Sequence, residues 1–368
     1  MDVLQRLRRT PATKDLKADA IFILLAATGL TLLREATMRL VLRPIAAKCV
    51  VSVSPDESTS SSSKAADAKT QNATNGNGAV SRAKQSAPPK VLSKRQRRRL
   101  EHLQRRNEIR FAEQGWSVLY FSCASLVGLY IAIHQPWWPM NVKEFWTDWP
   151  ELKINALLKY YYLTQSGFYV HQMVVLFSEA RRKDHWQMFS HHVITVGLQW
   201  TSYVVCYHRV GVAVMLLLDP CDILLSAAKM LRYAGVQTVC DIVFGLFLLA
   251  WLVLRHILYL RVLYSVIYDV DLTSDVGSPK ASIHRGLIAG LVALQVLLLM
   301  WFVMIVKVAY RVVTGSGAAD TRSDDEDEDD VVEGSDDEVV TNGANSGRAT
   351  ASTTLNGTNQ ARQRTSKA

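Results

Sequence analysis

Two histidines stand side by side, His191 and His192, near the head of one apolar run, and two aspartates three residues apart, Asp219 and Asp222, lie inside the next. Ionisable groups within hydrocarbon are costly, so side chains of this kind in a membrane segment mark a functional site and must find partners. An imidazole that titrates near neutral pH can take a proton from an attacking amine, or can itself attack an activated acyl group. A carboxylate beside it fixes its tautomer and stabilises the imidazolium. The residue types therefore point to acid/base or nucleophilic chemistry, with imidazoles and carboxylates as each other's natural partners. The same groups also build proton and ion pathways, so on these residues alone a catalyst and a proton-coupled transporter are both open. Metal binding fits less well, because adjacent helical positions point about 100° apart and both imidazoles would struggle to reach one ion. No metal is expected.

Helical periodicity extends both motifs. Positions i, i+3 and i+7 share one face, which aligns His192 with Thr195, Gln199 and then Ser202, and aligns Asp219 with Asp222, Ser226 and Lys229. Two neighbouring segments thus each carry a polar stripe, expected to turn inward. Pro220 removes a backbone hydrogen bond within the second stripe and can help shape the site. The preceding apolar run adds Gln165, Ser166, Tyr169 and His171, and a later one is interrupted by Arg255 and His256.

The elements that must position these residues are apolar runs of membrane-spanning length, at about 116–133, 154–177, 189–207, 210–228, 242–260 and 286–310. The expected fold class is an all-α polytopic membrane protein with six core transmembrane helices. An earlier run, Ala18 to Leu33, is just long enough to make a seventh, the alternative being an interfacial helix. The expected organisation is an amino-terminal segment over 1–33, a disordered linker over 34–93, a basic juxtamembrane helix over 94–110, a catalytic membrane domain over 111–311, and a disordered acidic tail over 312–368. The linker, rich in Ser, Ala, Asn and Gly, has too few large apolar residues to offset the entropy of ordering. It carries the sequon Asn72-Ala73-Thr74, usable only if lumenal. Between the first two core runs lies HQPWWPMNVKEFWTDWP, whose tryptophans suit a loop at headgroup depth.

The formal charge of +9 over 368 residues conceals a basic block, Lys94 to Arg110, and an acidic block after Gly315. The basic block lacks a recognisable nucleic-acid-binding fold, and no nucleic-acid partner is expected. Its place before a span suits the positive-inside rule and contact with anionic lipid headgroups. Arg181, Arg182 and Lys183 fall on the same side two spans later, and by alternation so do Lys229, Arg232, Lys307 and Arg311, which makes the carboxyl terminus cytosolic. Ser323 and Ser335 each precede Asp-Asp-Glu, the context acidophilic kinases favour, and are candidate modification sites. Five cysteines, odd in number and without metal-ligand spacing, read as small buried hydrophobes. The first apolar run starts late and lacks a signal-peptidase exit, so no cleavable signal peptide is expected.

The run RRKD-x5-SHHVIT, then YHRVG, then LDPCDILLSAAKMLRYAG resembles the signature of the ceramide synthases, the longevity-assurance branch of TLC-domain membrane proteins. YYLTQSGFYVHQ at 161–172 and WLVLRHILYLRVLYSV at 251–266 support it, and Ser226, in place of a glutamate, is similar to the fungal subgroup. Leu218 and Cys221 depart from the histidine and serine many members have there, and Pro220 is unusual. The resemblance covers roughly residues 110–310. It implies N-acylation of a sphingoid long-chain base by a fatty acyl-CoA at the endoplasmic reticulum membrane, with acyl-CoA as co-substrate and no further cofactor. It implies His191, His192, Asp219 and Asp222 as catalytic; the chemistry of the pair then allows either direct attack of the amine with one histidine as base, or a covalent route in which we assign His191 as acyl acceptor and His192 as base. The cations Arg181, Arg182 and Lys183 would meet the CoA phosphates, and Gln165, Tyr169, Thr195, Gln199, Ser226, Lys229 and Arg255 would contact substrate. Fungal members can work with a small single-span accessory subunit, and a homo- or heterodimer is a further implied partner. A non-enzymatic TLC-domain protein that senses or helps translocate lipid is the alternative within the wider family.

Overall fold

Inside a bilayer every backbone N–H and C=O must be satisfied within the protein, so apolar runs of about 20 residues close their hydrogen bonds as helices. The computed structural model describes residues 5, 7, 10–52, 93–149, 153–178, 184–270 and 279–314. It contains seven long helices: α1 Leu16–Cys49, α2 Lys94–Ala132, α3 Ala156–Ser178, α4 His185–Val204, α5 His208–Tyr233, α6 Gln237–Tyr268 and α7 Pro279–Val313. The protein is an all-α polytopic membrane protein. Five of the helices, all but α3 and α4, are long and apolar enough to cross a membrane. The other two are 23 and 20 residues long, about 30 Å or more of rise. What lowers their apolarity is the polar stripe each turns inward, with Gln165, Ser166 and His171 buried on α3 and His192, Thr195, Gln199 and Ser202 buried on α4.

Contacts at the two ends of the bundle give the helices their alternating directions. At one end Pro11 bridges Asn155, Ala12 N donates to Ile154 O at 3.0 Å, and Lys14 Nζ reaches Tyr203 O at 2.7 Å. The start of α1 therefore sits beside the start of α3 and the end of α4. Asp19, buried on the first turns of α1, pairs with Lys159 at 2.7 Å and accepts from Tyr203 Oη at 2.7 Å. At the opposite end Val51 N donates to Tyr233 O at 3.2 Å. The first helix thus runs the length of the bundle with the others.

Two boundaries differ from the sequence reading. Helix α1 does not stop near Leu33 but continues to Cys49, so residues 34–49 are helix, not linker. Met38, Leu42 and Ala46 recur every fourth residue and bury one face against Ala112, Trp116 and Phe111 of α2. A π-helical stretch at Met38–Leu42 precedes Pro44, a wider turn of the kind that accommodates a proline lacking its N–H. Likewise the basic block is not a separate helix. Lys94–Ala132 is one 39-residue rod opened by a capping box between Ser93 and Gln96.

The tryptophan-rich segment also differs from expectation. Trp137 and Phe145 are fully buried, and Trp146 and Trp149 donate to Ser265 Oγ and Val205 O at 2.9 and 3.1 Å. Arg209 clamps the segment by donating to the carbonyls of Glu144 and Thr147. It plugs the end of the bundle where Tyr207 stands, because indole N–H groups find acceptors among the helix ends there. Of the cysteines, Cys221 and Cys240 are buried as expected, whereas Cys49 and Cys123 face outward.

Close helix contact is tightest at one small residue. A Cβ at Gly211 of α5 would lie 1.7 Å from Tyr162 Oη, and that hydroxyl is bonded to Ser202 Oγ at 2.5 Å. Gly211→Ala must therefore expel Tyr162 from a fully buried site. We expect a loss of about 1–3 kcal/mol from overpacking, read as a lowered unfolding temperature in detergent, with Gly197→Ala, where nothing lies within 4 Å, as the silent control.

Candidate functional site

The helices α3 to α7 enclose a cavity of about 210 Å³. His191 of α4, Asp222 of α5, Arg255 of α6, Tyr169 of α3 and Trp301 of α7 all line it, so residues up to 132 positions apart in the chain face one space. Towards the end of the bundle where α5 stops, the lining includes Lys229, Arg232 and Asp241; the remaining walls are largely apolar, with Phe244, Phe247 and Met304. A second, smaller cavity of about 50 Å³ lies towards the opposite end, between Thr195 and Gln199 on one wall and Val214, Leu287 and Leu291 on the others. Tyr169 and Leu218 line both spaces and form the partition.

His191 and His192 occupy different settings although adjacent. His191 lines the large cavity with its ring 5.3 Å from that of Trp301. His192 is buried beside it, ring centroids 5.4 Å apart. Tyr169 contacts both rings, at 6.5 and 6.0 Å. The Nδ1 atoms of both histidines are buried without a hydrogen-bond partner among the described residues, a condition that native interiors rarely tolerate without a ligand, water or catalytic use.

The expected pairing of imidazoles with aspartates is not what the structure holds. Asp222 Oδ2 instead accepts from Arg255 at 2.7 Å, and Arg255 also donates to Leu218 O at 2.9 Å while its guanidinium lies 4.2 Å over Trp251. Asp219, with no exposed surface, accepts from Gln165 Nε2 at 3.2 Å; Gln165 in turn accepts from Tyr120 Oη at 2.6 Å. The reason is the choice of available partners. A permanently charged guanidinium satisfies a carboxylate better than a neutral imidazole does, and the sequence stripes do not reveal which helix brings it. A π-helical stretch, Trp251–Leu258, opens α6 at this point. It lets two adjacent residues serve different neighbours: Arg255 turns to α5, while His256 meets Gln295 of α7 at 2.7 Å. Such wide turns recur at functional sites.

Of the other residues singled out from sequence, Tyr169, Lys229 and Arg255 line the large cavity, and Thr195 and Gln199 line the small one. Gln165 and Ser226 are buried but line neither, Gln165 being committed to Asp219. His171 faces away, with Nδ1 2.8 Å from Thr31 Oγ1 of α1. Arg181, Arg182, Lys183, Ser323 and Ser335 lie outside the described residues. Sequence reading missed Arg232 and Trp301 as cavity residues. Arg232 continues the inward stripe through Lys229 by three positions, a signal that was legible; Trp301 sits in an unbroken apolar run that gives none.

The TLC-domain family model matches residues 110–307, more than half of the chain. The chain is 42% identical over 231 residues to the sphingosine N-acyltransferase lag1 of Schizosaccharomyces pombe, a match covering 60% of this chain and 59% of that one. It is 38% identical over 255 residues to a sphingosine N-acyltransferase-like protein of Alternaria alternata, covering 60% and 59%. To a ceramide synthase of Gibberella moniliformis it is 35% identical over 272 residues, covering 65% and 62%. The chain thus spans about three fifths of the length of these three curated relatives. Its matched region, 110–307, holds both the paired histidines and the paired aspartates, and the chain belongs to the TLC-domain family, in the branch of the ceramide synthases.

Proposed function

We propose that this protein is an acyl-CoA-dependent ceramide synthase that joins a fatty acyl group to the amine of a sphingoid long-chain base of the dihydrosphingosine or phytosphingosine type. The observation that carries this reading is the meeting of His191, Asp222 and Arg255 in one cavity whose rim bears Lys229 and Arg232, in a chain related to sphingosine N-acyltransferases. A thioester carbonyl placed against His191 is attacked by the free imidazole nitrogen, and the C–S bond breaks to release CoA thiolate, which needs no acid to leave. The amine of the base then opens the acyl-imidazole, forming the amide and returning His191 to its neutral form. His192 takes the proton the amine gives up. Negative charge developing on the carbonyl oxygen is met by the Arg255 guanidinium, which Asp222 holds in place. Asp219 acts at one remove, fixing α3 against α5 through Gln165.

A proton-coupled transporter needs a chain of titratable groups across the whole bundle. The partition at Tyr169 and Leu218, and the carboxylates tied to Gln165 and Arg255, favour the enzyme. The substrates are both lipids at one end and meet the protein in a membrane, which we assign to the endoplasmic reticulum. The rim with Lys229 and Arg232 faces the cytosol in this assignment, where CoA is found, as do the carboxyl terminus and, since α1 crosses, the segment bearing Asn72. Arg181, Arg182 and Lys183 add to the cations available for CoA phosphates, Ser323 and Ser335 are sites for an acidophilic kinase, and a single-span subunit or a second synthase chain is the proposed partner. Beyond acyl-CoA as co-substrate no cofactor is invoked.

The test is direct. Membranes containing the full chain, from cells lacking their own ceramide synthesis, receive a sphingoid base and acyl-CoAs of graded length, and ceramide and free CoA are quantified. Equal amounts of both products are expected. Absence of ceramide with every acyl-CoA, from protein shown to be folded, overturns the reading.

A further inference from the structure

Helices α6 and α7 are joined by a pair of hydrogen bonds about one turn apart: Gln295 Nε2 lies 2.7 Å from His256 Nδ1, and Tyr259 Oη donates to Leu291 O at 2.9 Å. The spacings match, since positions three apart on one helix and four apart on the other are neighbours on one face of each. His256, Tyr259 and Gln295 are all buried, and the Phe302 ring stands 5.0 Å from the imidazole. The first bond does not satisfy its own partners fully. His256 Nε2 and Gln295 Oε1 are buried and have no hydrogen-bond partner among the described residues. Two apolar side chains would fill the same gap without that cost. What a hydrogen bond adds over apolar contact is direction, because it specifies which residue of α6 faces α7.

Direction matters here because α6 is wide at this point. The π-helical stretch Trp251–Leu258 places more residues in each turn than an α-helix does. Closing it back into α-helical turns would rotate one part of α6 against the other by about 100° for each residue absorbed. Arg255 would then leave Leu218 O and Asp222, to which it donates at 2.9 and 2.7 Å. Helix α5 holds one side of the wide turn through those bonds, and α7 holds the other through His256 and Tyr259. We infer that Gln295 and Tyr259 are positioning residues: their two-rung ladder fixes the rotation of α6 and so aims the Arg255 guanidinium into the space that His191 lines. The effect on turnover rests on the acyl-CoA reading above; the effect on Arg255 does not.

Gln295→Leu removes the first rung and Tyr259→Phe the second. Arg255 is assigned to charge that develops only in the transition state, so a displaced guanidinium lowers kcat and leaves KM for both substrates nearly unchanged. In Gln295→Leu, kcat should fall about 10- to 100-fold, the order that a misplacement of about 1 Å can produce, and Tyr259→Phe should lower it by less. Added to Asp222→Leu with Arg255→Met, where no guanidinium is left to aim, Gln295→Leu should change the residual turnover by less than about 2-fold. A loss of equal size in both backgrounds shows a merely structural role and overturns the inference. A second readout needs no turnover. The coupling between Asp222 and Arg255, taken from unfolding temperatures of the two single changes and the double change, is measured in the wild type and again in Gln295→Leu. It should fall by about half or more once the rung is cut; unchanged coupling overturns the inference. If Gln295→Leu does not fold, Tyr259→Phe, which deletes a single hydroxyl, takes its place in both arms. Reduced coupling in a protein that makes no ceramide upholds the ladder and removes the synthase reading instead.

Discussion

His191→Ala is expected to abolish the proposed ceramide formation, lowering turnover at least about 1,000-fold, while leaving the protein at near-normal abundance in the membrane. The size follows from the loss of either the acyl acceptor or the principal proton carrier, each of which contributes about 10²–10⁴-fold. Abundance is spared because the imidazole makes no hydrogen bond among the described residues, so its removal strands no partner. His192→Ala has the same effect on steady turnover but a different signature. With His191 intact and facing the cavity, the chain incubated with acyl-CoA alone should still accumulate an acyl adduct on His191, detectable by mass and opened slowly by added amine. Turnover within a factor of a few of wild type in His191→Ala would remove the covalent route and the assignment of His191 together.

Arg255→Met alone is expected to destabilise the bundle by about 3 kcal/mol or more, because it leaves the Asp222 carboxylate beside a largely apolar wall without its cation. The double change Asp222→Leu with Arg255→Met recovers most of that stability, since a desolvated ion pair is often replaceable by apolar groups of like volume at little net cost. Activity is not expected to recover, because the guanidinium proposed to meet the developing oxyanion is gone. The measurement is thermal unfolding in detergent for the wild type, both single variants and the double variant, with ceramide assays alongside. Double-variant activity near wild type would show that Arg255 and Asp222 serve only the fold. A double variant no more stable than the single ones would show that the pair's worth lies in more than mutual charge compensation.

Much of this protein was written in one dimension. Membrane-length apolar runs compel helices wherever they occur, since the bilayer offers backbone groups no other partner. The 3.6-residue period then aligns His192 with Thr195 and Gln199, and Asp219 with Asp222 and Lys229, before any neighbour is known. The tertiary structure decided what a period does not encode, namely which stripe faces which. It carried α1 on past Leu33 because Met38, Leu42 and Ala46 find Ala112, Trp116 and Phe111. It drew the tryptophan segment inward as a plug, and gave Asp222 to Arg255 and Asp219 to Gln165 in place of the histidines. A helix face is fixed by local geometry, but a buried charge takes the partner that packing brings within hydrogen-bonding reach, and that choice belongs to the assembled bundle.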